Sequence, residues 1–61
     1  MRFALPELIR EAERELAARR RIFPNRVHTR RMTPQAAARQ IAMQEDIIER
    51  LREVETRERL L

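Results

Sequence analysis

The stretch RRRIFPNRVHTRRMTP, residues 19–34, decides how this chain folds, because it holds two of the three prolines, six arginines and no acid. Pro24 has no backbone N–H and crowds the residue before it, so it opposes helix at positions 23 and 24. Further on, Thr33 and Pro34 make a helix start: the threonine oxygen can cap free amides, and proline suits the first helical position. The stretch therefore reads as the bend between two helices.

On the N-terminal side of this bend, Leu5, Leu8, Ile9, Ala12, Leu16 and Phe23 recur at helical spacing. Pro6 fits a first turn, and Glu7 complements the positive end of the helix dipole. On the C-terminal side, Ala36, Ala37, Ile41, Met43, Ile47, Ile48, Leu51 and Val54 fall into one broad arc, with no helix breaker after Pro34. The pattern predicts an all-α helical hairpin: a helix over about residues 5–22, a bend with a short helical turn over 24–32, and a long helix over about 34–59. At 1.5 Å per residue the first helix spans about 25 Å and the second about 40 Å. That mismatch leaves Val54, Leu60 and Leu61 uncovered.

Sixty-one residues form a single domain, 1–61, with a core too small to be comfortably stable alone. Without cysteine there is no disulfide, and one histidine without a thiolate offers no zinc site, so oligomerisation or close helix packing must supply the stability. The arc on the second helix is too wide for one partner helix. A homodimer with a four-helix arrangement is expected, with Ile41, Gln44, Ile47, Ile48, Leu51 and Val54 at its interface. Gln40 and Gln44 are polar residues inside this arc. They either fix the register of a helix seam or stand at its edge with their amides in water. A second topology also accounts for the N-terminus, since MRFAL alternates Met1, Phe3 and Leu5 like the strand of a ribbon-helix-helix repressor. Its helix-to-helix turn is tighter than the proline-bearing bend found here.

All fourteen basic residues are arginine, and the net charge is +4. Between Glu15 and Glu45 stand Arg19, Arg20, Arg21, Arg26, Arg30, Arg31 and Arg39 with no acid among them, so the bend is strongly positive and the open end mildly negative. Such a focused potential attracts anionic partners. Arg19, Arg20, Arg21, Arg26, His28, Arg30 and Arg31 are the candidate partner-binding residues. Three uses compete: an acidic protein surface, nucleic acid, or simple solvation of the bend by arginine stems that cover the core.

The chain lacks serine, cysteine and lysine, and its three threonines have no histidine at a persuasive spacing, so covalent catalysis has no nucleophile. Glu45, Asp46, Glu49 and Glu53 resemble a carboxylate cluster. They are spaced instead for helical ion pairs: Asp46 with Arg50, Glu49 with Arg52, and Glu53 with Arg57. There is no Glu-x-x-His pair for a di-metal site and no glycine for a phosphate loop. A non-enzymatic protein without cofactor or metal is expected. The N-terminus has neither a leader nor a membrane-length apolar run, which points to the cytoplasm.

From Glu15 to Ile47 the chain resembles small proteins encoded by temperate phages and prophages of proteobacteria, whose pattern looks like ELAxRRxVYPxWVxxGRMTxxxAxREIAxME. The matches are Glu15, Leu16, Arg19, Arg20, Pro24, Val27, Arg31, Met32, Thr33, Ala37, Arg39, Ile41 and Ala42, with Ile22 and Phe23 replacing similar residues. Arg26 stands where the family has tryptophan, Arg30 where it has glycine, and Gln44 where it has methionine. Loss of the glycine argues against a tight left-handed helix cap near residue 30. The resemblance implies a phage accessory protein without assigning an activity; by analogy with small phage proteins of this size, which commonly bind and divert a host factor, it is expected to bind and modulate a host protein. Alternatives are a small nucleic-acid-binding regulator and a structural part in virion assembly.

Overall fold

The computed structural model describes residues 2–61, with Met1 outside the described residues. Two helices, α1 (Leu5–His28) and α2 (Pro34–Leu60), pack antiparallel as a hairpin 48 Å long and 18 by 16 Å across. Among the described residues there is no strand: residues 2–4 are irregular and lead directly into α1, so no ribbon forms there. Met1, the first member of that alternation, lies outside. No described helix is long and apolar enough to cross a membrane.

The main correction concerns Pro24. The first helix does not stop near residue 22 but runs through Pro24 to His28, giving 24 residues in α1 against 27 in α2. Proline removes the bond to the carbonyl of Arg20 and in a helix interior costs about 3 kcal/mol. Three features offset this. Pro24 lies one turn from the helix end with its ring exposed, Phe23 beside it is only 5% exposed and anchors α1 to α2, and the last turn is capped on several carbonyls at once. The expected bend over 24–32 contracts to residues 29–33, and α1 reaches almost as far as α2.

The cap itself answers the second expectation. Arg31 N–H bonds the carbonyl of Arg26 at 2.9 Å and Arg30 N–H that of Val27 at 3.1 Å, the paired bonds of a Schellman cap. Arg30 has φ 61°, in the left-handed region that glycine normally fills. The tight left-handed cap therefore forms despite the missing glycine. Thr29 secures it, its hydroxyl donating to the carbonyl of Asn25 at 2.9 Å and of Arg26 at 3.3 Å. At the other side of the bend, Thr33 caps α2 as its position predicts, its hydroxyl oxygen accepting from Ala36 N–H at 3.0 Å.

Ile9, Leu16 and Phe23, each two turns apart on α1, meet Ala37, Gln44 and Ile48 of α2 in the seam. Gln44 is 6% exposed, and its side-chain amide donates to the Ala12 carbonyl at 2.9 Å. Ala12 is small enough to let that amide reach the α1 backbone. A buried polar group is tolerable only when bonded in this way. The seam is thus tied at one register by a side chain that packing alone would have made apolar.

Candidate functional site

The helical period divides the hairpin surface into two flanks on either side of this seam. On one flank Glu13, Ala17 and Arg20 of α1 face Glu45, Glu49 and Arg52 of α2 across a shallow groove. Two ion pairs bridge it: Arg20 with Glu45 at 2.5 Å, and Arg52 with Glu13. On the other flank Arg19 donates to the Gln40 carbonyl at 3.3 Å, and no ion pair crosses between the helices among the described residues. This open flank carries exposed apolar side chains: Leu8 (40%), Ile22 (38%), Met43 (48%), Ile47 (48%) and Val54 (38%).

The six residues expected to associate are accordingly divided. Ile47 and Val54 lie on the open flank, Ile41 and Leu51 are half-buried, and Gln44 and Ile48 are taken up inside the hairpin itself. Gln40 is half-buried at the seam's edge. Leu60 and Leu61 remain exposed at the very end of α2, but the expected mismatch of helix lengths shrinks to 24 residues against 27, and Val54 is exposed by its place on the open flank instead.

The arginine-rich end is divided in the same way. Arg19 is half-buried between Glu15, at 4.0 Å, and the Gln40 carbonyl, and Arg20 is held by Glu45. These two serve the hairpin. Arg21, Arg26, His28, Arg30 and Arg31 are exposed, and among the described residues no carboxylate pairs with them. Arg26 lies over the Phe23 ring, its guanidinium 5.9 Å from the centroid, which holds the stem against the core while leaving the charge in water. Arg30 and Arg31 line a shallow depression of about 310 Å³ with Val27, Met32, Thr33 and Pro34. The amino-terminal end of α2 opens into the same tip without an acid in its first turn, adding to the positive potential.

The local ion pairs follow sequence spacing in part. Asp46 pairs with Arg50 at 3.4 Å and Glu15 with Arg19, whereas Arg52, which spacing assigned to Glu49, crosses to Glu13 on the other helix. The Arg14 guanidinium bonds Glu11 and holds that carboxyl below its usual value of 4.5. Both cross-helix pairs join residues at least 25 positions apart, so no local spacing announces them. Comparisons with family models, with curated proteins and with solved structures found no match to the chain.

Proposed function

We propose that the chain is a non-catalytic phage or prophage accessory protein that works by binding: it pairs with a second copy through its open flank and engages an acidic surface of a host protein through its bend, modulating that protein. The observation that carries this reading is the set of arginines left over once the hairpin's own needs are met. Arg26, Arg30 and Arg31 have no carboxylate partner among the described residues. One of them is held at positive φ, where an L-residue other than glycine is disfavoured by about 1 kcal/mol. Arginine forks suit carboxylates in two-pronged geometry and are favoured at interface hot spots.

Nucleic acid would draw on the same arginines. Phe23, the one phenyl ring at this end, is buried, which leaves the exposed His28 imidazole as the only ring there on which a base could stack, where single-strand binders use several. A pull-down from bacterial lysate separates the readings. A protein retained after nuclease treatment, and lost when Arg30 and Arg31 are replaced by alanine, supports the protein partner. Capture that disappears with nuclease, together with a steep fall of duplex binding between low and moderate salt, transfers the assignment to nucleic acid.

A further inference from the structure

We infer that the second copy lies antiparallel on the open flank, its bend beside the first copy's open end, with Arg26 of each chain meeting Glu58 of the other. This rests on the pairing proposed above and adds its orientation. The first argument is area. The hairpin exposes 5346 Å², whereas a compact monomer of its 7.4 kDa mass exposes about 4,200 Å². The excess exceeds the roughly 800 Å² that each partner buries in a standard interface. The hairpin's 48 Å length accounts for some of it, and the exposed apolar flank is the face on which a second copy would cover more.

The second argument is charge. Seven arginines and no acid occupy residues 16–44, while the remainder of the chain holds ten acids against seven arginines. A parallel pair sets the two positive ends side by side. An antiparallel pair sets each positive end against a negative one, which is the arrangement electrostatic complementarity selects.

The third is register along the flank. Arg26 continues the α1 face of Arg19, two turns nearer the bend. Glu58 shares a depression with Leu8 at the opposite end of that flank. Because α2 runs back along α1, Arg26 and Glu58 stand on opposite sides of Ile47, each roughly 16–18 Å from it along the hairpin. A two-fold axis through Ile47, the apolar centre of the flank, therefore superposes the level of Arg26 on that of Glu58 of the second copy. The same axis places the two arginine-rich bends at opposite ends of the pair, so two host molecules can bind without overlap.

Charge reversal tests the orientation directly. Sedimentation equilibrium is run on the natural chain, Arg26→Glu, Glu58→Arg and the double variant, with helicity checked by circular dichroism. Each single reversal should raise the dimer dissociation constant about three- to ten-fold at low salt, and the double should return within about two-fold. As a second readout, the cysteine-free background allows single thiols. Ile47→Cys should oxidise to a disulfide dimer, whereas Val54→Cys should not, because its two copies stand about 20 Å apart in the antiparallel pair. Tighter association of Arg26→Glu alone, or rapid disulfide formation by Val54→Cys, overturns the antiparallel orientation and leaves self-association standing. A monomer mass for the natural chain at all micromolar concentrations overturns both.

Discussion

The two flanks of this hairpin treat the same problem, covering a helix seam, in opposite ways. One flank is bridged by Arg20–Glu45 and Arg52–Glu13, so its groove is occupied by charges that already satisfy each other. The other leaves Ile47, Val54 and Leu8 in water beside a backbone carbonyl bond from Arg19. Exposed ion pairs contribute little stability. On the pairing proposed above, their effect is on specificity, because a charged flank resists a second hydrophobic surface and leaves the apolar flank as the place for one to dock.

The strongest way to break this contrast is Ile47→Asp. A charge placed in the middle of an apolar interface without a partner costs about 3 kcal/mol, so dimer dissociation should rise by at least about 100-fold in sedimentation equilibrium. Glu49→Ala, on the bridged flank, should leave the same constant unchanged. Next in size is Gln44→Ala, which removes buried volume and the bond to Ala12. A loss of about 2 kcal/mol, read as a fall in Tm of roughly 8–15 °C, is expected, with Gln44→Leu recovering most of it because the Ala12 carbonyl keeps its helical bond.

Arg30→Gly has a smaller effect and one of opposite sign. Glycine accepts the left-handed conformation freely, so Tm should rise by about 4–8 °C while affinity for an anionic partner at the bend falls. Should stability fall instead, the Arg30 side chain contributes to the fold and its conformation is not a strain. The smallest effect belongs to the bridged flank: a double-mutant cycle on Arg20 and Glu45 should return a coupling below about 1 kcal/mol, shrinking further in salt.

Much of the fold was legible in the sequence. The apolar spacing, Thr33 as cap and Pro34 as first residue of α2 all carry local signals, and the hairpin follows from them. What was misread was Pro24. A proline's local penalty is visible in the sequence, but the offset comes from Phe23 packing across the seam and from a cap that needs Arg30 in a conformation that sequence preference disfavours. The candidate site was legible as composition and not as geometry. An acid-free run of arginines is plain to see, yet which of them are free depends on hairpin register: Arg20 reaches Glu45 only once the two helices are aligned. The same register moved Gln44 and Ile48 from the expected outer interface into the inner one.

Pro24 also shapes how the molecule opens. Lacking an amide hydrogen, it leaves one rung of the α1 ladder empty at the carbonyl of Arg20, so the last turn, Asn25 to His28, is held by one helical bond fewer than an uninterrupted helix would give, together with the packed Phe23 ring and its own cap. In hydrogen-exchange terms that turn should open more readily than the middle of the helix, with amides 25–31 exchanging sooner than those of Leu16 or Ile48. On the binding proposed above, a partner that grips the free arginines would hold this turn closed. Binding at the bend should therefore be written in the backbone as a local gain of protection, readable amide by amide even when the rest of the hairpin does not change.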